Sequence, residues 1–215
     1  MKTTLLTTAL AAATLALAGC KDSTGSNNNE IASGSLAFSY TGVRSGSYSA
    51  SGAIHPNATS FTKATFASGV KLAQGGTNYV GIIAYVPVTA STGHEVLFIF
   101  PSVAAGQNLS LSDDCVGADC PLALVAFDTD PDLEEDDSEP FFFTDGTLHV
   151  TSTSNGRVSG TFSGHAEGFD GTRVITVTGG SFDVPLLDQS QFPTANRSAP
   201  TPAFTRLRRG ATIGR

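Results

Sequence analysis

The carboxylates between Asp128 and Glu139 are the densest group of side chains in this chain with the means to do chemistry. Asp128, Asp130 and Asp132 alternate, and Asp136 and Glu139 follow at spacings that let a loop turn all five toward one point. Oxygens gathered in this way suit a hard cation such as Ca²⁺, which takes about six to eight of them. Crowded like charges repel, and a divalent cation relieves that repulsion. The alternative is an acidic loop that is merely solvated. Histidine supplies the other candidate group, at His55, His94, His149 and His165. His149 and His165 fall on neighbouring predicted strands, where they would form a pH-sensitive pair or part of a metal site. Exposed or otherwise satisfied surface histidines are the plainer reading.

Other chemistry has no signature here. The acidic stretch places Asp136 and Glu139 at later ligand positions of an EF-hand loop, but Leu133 stands where that loop needs Gly, and the flanks read as strands. His165-Ala166-Glu167 lacks the second His of a helical metalloprotease motif. No Gly-x-Ser-x-Gly elbow joins a strand to a helix, and no glycine-rich phosphate loop is present. No catalytic residue is assigned, and the chain is read as non-enzymatic.

Three cysteines remain to be placed: Cys20, Cys115 and Cys120. Met1-Lys2 and the apolar run Leu5–Ala18 precede the first. That run is shorter than the roughly 20 residues that cross a bilayer, and it ends in small residues as a signal peptide does. Leu17-Ala18-Gly19-Cys20 resembles the lipobox of bacterial lipoprotein precursors. The resemblance implies a diacylglycerol on the Cys20 thiol, cleavage before Cys20, and acylation of the new amino terminus with chains of the palmitate class. Two or three acyl chains anchor stably where one alone does not. Lys21 follows, not the Asp that retains such proteins at the inner membrane, which favours the outer membrane, at its periplasmic face or the cell surface.

Lipidation leaves Cys115 and Cys120 as an even pair. An oxidising envelope makes a disulfide the default, closing a short loop worth about 2 kcal/mol. Half of a zinc site is the alternative, with neither a second Cys pair nor paired His to complete it. The formal charge of −7 is uneven, with eleven acids and no Lys or Arg from Asp113 to Glu139, and five Arg and no acid from Asn196 onward. A nucleic-acid binder needs a basic face on its folded domain, so nucleic acid is excluded as a partner.

The elements that must position these groups are strands. Leu36, Phe38 and Tyr40 alternate with small or polar residues, as do Tyr48, Ala50, Gly52 and Ile54, with a turn at Gly42–Gly46 between them. Phe61–Leu72 alternates again. Tyr79–Val88 and Glu95–Val103 are apolar and β-branched without a polar phase, which predicts central strands. Leu109 and Leu111 form a short strand or enter the Cys loop. Leu122–Phe127, Phe141–Phe143 and Leu148–Thr153 follow. Asn155-Gly156 is a hairpin signal leading to Val158–Gly164. Val174–Val177 and Phe182–Val184 end the set, with Gly179-Gly180 as a turn or bulge. No 3.6-residue apolar period occurs. The expected fold is all-β, an antiparallel β-sandwich or barrel-like sandwich of about ten strands.

Gly146-Thr-Leu-His-Val-Thr-Ser, Val158-Ser-Gly-Thr-Phe-Ser-Gly and Ile175-Thr-Val-Thr-Gly-Gly-Ser-Phe-Asp-Val-Pro are similar to the C-terminal module of small bacterial lipoproteins of unknown function. The similarity covers about 40 residues and implies a three-strand meander, with no activity attached. Gly34–Gly52 and Gly146–Gly164 also resemble each other, as convergent hairpins or as a duplicated one placed equivalently in two sheets.

The domain division expected is a signal peptide at 1–19, lipidated Cys20 and tether at 20–33, a β-sandwich at 34–187, and a disordered basic tail at 188–215. The function expected is a binding or structural role in the cell envelope, held to the membrane by lipid, with an unknown protein or glycan partner and no cofactor. The alternative is a Ca²⁺-dependent adhesion or carbohydrate-binding module using loop 128–139.

Overall fold

A computed structural model describes residues 32–54, 64–74, 76–89, 92–112, 120–129 and 139–188. Cys20, Cys115, His55, the tether before Ala32 and the residues beyond Asp188 lie outside it. The described residues form ten strands and no helix. A first hairpin, β1 (Gly34–Gly42) with β2 (Gly46–Gly52), is followed by β3 (Phe66–Gln74), β4 (Thr77–Pro87) and β5 (Gly93–Pro101). Then come the short β6 (Asn108–Ser110), β7 (Leu122–Thr129), and three long strands, β8 (Glu139–Ser152), β9 (Arg157–Gly168) and β10 (Val174–Asp188). The all-β expectation holds, as a barrel-like sandwich.

Seven strands close the barrel, in the order β10-β3-β4-β5-β7-β8-β9 and back to β10. Two long strands make closure possible by changing neighbours along one edge. On β10, residues 175–183 pair with β1 and 186–188 pair with β3. On β8, residues 139–142 pair with β7 and 147–149 with β6. The β10–β3 pairing is parallel and every other one is antiparallel. Val174–Val184 is one strand, and both of its ladders shift register around Gly179-Gly180, so the glycine pair is a bulge that bends β10. Gly180 is also a close approach, since a Cβ there would lie 2.6 Å from the Phe162 ring.

The interior is filled by one phase of each strand. Leu36, Phe38, Tyr48, Ala50, Ile82, Val96, Phe98, Val125, Phe141, Leu148, Phe162, Ile175 and Phe182 are all buried in a single cluster. Phe162 sits at its centre, with ring centroids 4.7 Å from Phe98 and 5.7 Å from Phe38, both edge-on. Such contacts add about 0.5–1.5 kcal/mol each beyond area burial. The runs read as central strands do have two apolar faces. Ile83, Tyr85, Leu97, Leu124 and Ala126 point out of the barrel and form a second buried cluster with Ile54 and Phe66. On β1, β2, β9 and β10 the outward phase is polar, with Ser35, Ser39, Ser47, Ser49, Thr161, Ser163, Thr178 and Ser181 exposed.

The β8–β9–β10 meander is present. The two similar hairpins are not equivalent, because β10 takes the first strand of one (β1) and the second strand of the other (β9).

Candidate functional site

Strand direction gathers four connections at one end of the barrel: β1–β2, β4–β5, β7–β8 and β9–β10. Side chains from all four meet there. Arg44, in the β1–β2 turn, places Nη1 3.1 Å from Asp128 Oδ2 and Nε 2.5 Å from Glu139 Oε2. Arg173, at the start of β10, pairs with Glu139 Oε1 through Nη1 and reaches Asp170 Oδ2 through Nε at 3.3 Å. Glu139 is thus held between two guanidinium groups. Each arginine also lies over a ring that fills the barrel mouth, Arg44 5.2 Å from the centre of Phe127 and Arg173 5.7 Å from that of Phe141. The contacts to Glu139, which is 28% exposed, are partly desolvated and so stronger than an ordinary surface pair, while those to Asp128 and Asp170 remain exposed.

The β4–β5 connection joins through His94. The Asp128 amide donates to His94 Nδ1 at 3.3 Å, and the imidazole stands edge-on to Phe127 at 5.2 Å. Burial holds the imidazole pKa below its usual value, against the opposing pull of Asp128. The Tyr48 hydroxyl donates to the His94 carbonyl at 3.5 Å, and burial, aided by Glu95, pushes its pKa well above the usual range. Asp170 caps the β9–β10 turn. The Thr172 amide, and more weakly that of Arg173, donate to it and hold its carboxyl below the usual value.

This is where two of the five expected Ca²⁺ ligands stand. Asp128 and Glu139 mark the ends of the acidic connection, and both are paired with arginine. Asp130, Asp132 and Asp136 lie outside the described residues. Among the described residues, no three His, Cys, Asp or Glu come together as metal ligands. Cys120 is disulfide-bonded; Cys115, its expected partner, lies outside the described residues. The chemistry of this end is ion pairing, and it ties the β1–β2 and β9–β10 turns to the strand ends at His94, Asp128 and Glu139.

The histidine pair does not form. His149 Nδ1 is 2.7 Å from Asn108 Oδ1, while His165 Nδ1 is 2.9 Å from Asp145 Oδ1. The two histidines pair with positions four residues apart along β8 and β9, roughly 13 Å at strand rise. The His165 contact keeps the Asp145 carboxyl below its usual pKa. Sequence reasoning missed Arg44 and Arg173 altogether. Each is a lone Arg in a turn, and only the strand pairing shows that residues 44, 139 and 173 are neighbours.

The opposite end carries the β8–β9 hairpin and the start of β1. Arg157 donates through Nη1 and Nη2 to the Ser33 carbonyl, both at 3.2 Å, and through Nε to Asp183 at 2.9 Å. Lys71 pairs with Asp188 at 3.1 Å. The chain therefore enters the barrel at the end away from the Arg44–Glu139–Arg173 network. No protein family, no curated protein and no solved structure matches this chain.

Proposed function

We propose that this chain is a lipid-anchored, non-enzymatic binding protein of the bacterial envelope that presents the braced end of its barrel away from the membrane. The observation carrying this reading is the placement of the two ends. Ser33, the last residue of the expected tether, is held by Arg157 at one end. The four braced connections occupy the other, separated from it by the length of β1. Nine strand residues span about 27 Å. An anchor at Cys20 and a tether to Ser33 would turn the braced end outward. The interior supports a binding role over catalysis, because it is packed with aromatic rings, and the charged groups at the braced end are largely paired with one another.

Membrane fractionation tests the anchor. Cys20→Ser is expected to move the protein from the membrane to the soluble envelope fraction, and retention in the membrane would overturn the reading. The calcium alternative requires Asp128 and Glu139 to leave their arginines. Thermal melts with and without about 1 mM Ca²⁺, a concentration that fills weak extracellular sites, are therefore expected to share one midpoint.

A further inference from the structure

Three large apolar side chains are exposed among the described residues: Val43 at 56%, Val88 at 52% and Phe169 at 68%. All three sit at the braced end, on three different connections. Val43 precedes Arg44 in the β1–β2 turn, Val88 follows β4, and Phe169 begins the β9–β10 turn. Phe169 is held in place, its ring 4.9 Å from that of half-buried Phe142. A single exposed apolar side chain is ordinary; what distinguishes these is that all three stand at the same end of the barrel.

Two further features separate this end from the other. Arg44, Asp128, Glu139, Arg173 and Asp170 cross-link the turns that carry Val43 and Phe169, and the Val88 turn is closed by its own backbone bond to Thr92, which limits the entropy these positions lose on contact. Its charge is also unbalanced. Among the described residues Asp128, Glu139, Glu167 and Asp170 stand at this end with Arg44 and Arg173, four acids to two bases, whereas Lys71 and Arg157 at the opposite end are matched by Asp188 and Asp183. Apolar contacts within a negative rim call for a partner that brings apolar side chains and positive charge together.

We infer that the end bearing Val43, Val88 and Phe169 is a docking surface for a cationic polypeptide segment carrying apolar side chains. This inference rests on the binding reading above and names its partner class. The charge steers the approach and the apolar contacts supply the affinity. A lipid or anionic glycan fits less well, because the rim would repel an anionic headgroup.

The test is fluorescence anisotropy on the full chain in mild detergent, with a labelled decapeptide alternating Arg and Leu. Decapeptides alternating Arg with Ser, and Ser with Leu, isolate the two halves of the chemistry. The Arg–Leu peptide is expected to bind at least about tenfold more tightly than either, and the double variant Val88→Ser/Phe169→Ser to weaken it by about tenfold or more. Both substitutions are at exposed positions, and an unchanged melt of the variant confirms that it is folded. Absence of Arg–Leu binding, equal binding of the Arg–Ser peptide, or unchanged affinity of the double variant would each overturn the inference. So would binding to anionic phospholipid vesicles in preference to the peptide. Failure here leaves the anchor reading standing, because Cys20→Ser fractionation reports on that separately.

Discussion

At one end of the barrel Glu139 lies between Arg44 and Arg173, each arginine covers a core phenylalanine, and exposed apolar side chains stand around them. At the other end Arg157 spans Asp183 and the Ser33 carbonyl, and Lys71 meets Asp188, in pairs whose side chains are 31–63% exposed. The same strands run through both ends, so the backbone scaffold does not explain the difference. It comes from what the turns carry. The tether end needs only to fix where the chain enters, and a few solvated contacts suffice. The loop end ties two turns to the ends of β5, β7 and β8 through pairs whose side chains are 28–51% exposed, the least exposed of them being the shared Glu139.

The largest expected effect is one that should ignore this difference. Phe162 touches rings from β1, β5, β8 and β10, so Phe162→Ala should cost about 3–5 kcal/mol in urea unfolding and destabilise both ends together. If one end's amides lost exchange protection and the other's did not, the barrel would not be a single cooperative unit, and comparing its ends as parts of one body would be unsound.

Next comes the comparison itself. Glu139→Ala removes the shared partner of two half-buried guanidinium groups and should cost about 1–2 kcal/mol, between the values for exposed and buried pairs. Arg157→Ala removes more exposed contacts and should cost about 0.5 kcal/mol. Equal losses in the two variants would erase the asymmetry between the ends.

The two ends also differed in how far they could be read from the chain. The strands were legible because alternation survives in one dimension. Leu36-Ala37-Phe38 and Tyr48-Ser49-Ala50 announce one buried face, and the unbroken apolar run from Tyr79 announces two. Asn155-Gly156 gave the tether-end hairpin outright, since a two-residue turn is local. Closure through Leu186–Asp188 beside Gly69–Lys71 was not legible, because a parallel pairing across more than a hundred residues leaves no local pattern. The loop end failed for the same reason. Asp128 and Glu139 looked like cation ligands because their nearest neighbours in sequence are acids. Their nearest neighbours in space are Arg44 and Arg173, each contributed by a separate turn.

Salt should sharpen the contrast by a smaller amount. At 1 M ionic strength the screening length is about 3 Å, and exposed pairs lose most of their worth. The cost of Arg157→Ala should fall by the share of its exposed Asp183 ion pair, leaving that of its bonds to the Ser33 and Asp183 carbonyls, while that of Glu139→Ala, measured the same way, should keep more than about half its value because the rings of Phe127 and Phe141 cover the arginines. A parallel collapse of both costs would mean that the loop-end network is as solvated as the tether-end one.

The smallest expected effect is a pH dependence present at the loop end. Burial lowers the His94 pKa below its ordinary 6.5, and Asp128 only partly offsets this. A native state that resists protonation while the unfolded chain accepts it loses stability as the solution is acidified. The contribution of His94 is therefore fully present above about pH 6.5 and declines from there to the folded midpoint, below which it is flat. His94→Asn keeps an acceptor for the Asp128 amide and removes the titration. Melts of the two proteins should diverge in slope as the pH falls below about 6.5, the native chain losing more of its midpoint than the variant. Coincident slopes would show that the His94 imidazole is accessible enough to protonate without loosening the Asp128 amide, and the loop end would then be held by its arginines alone.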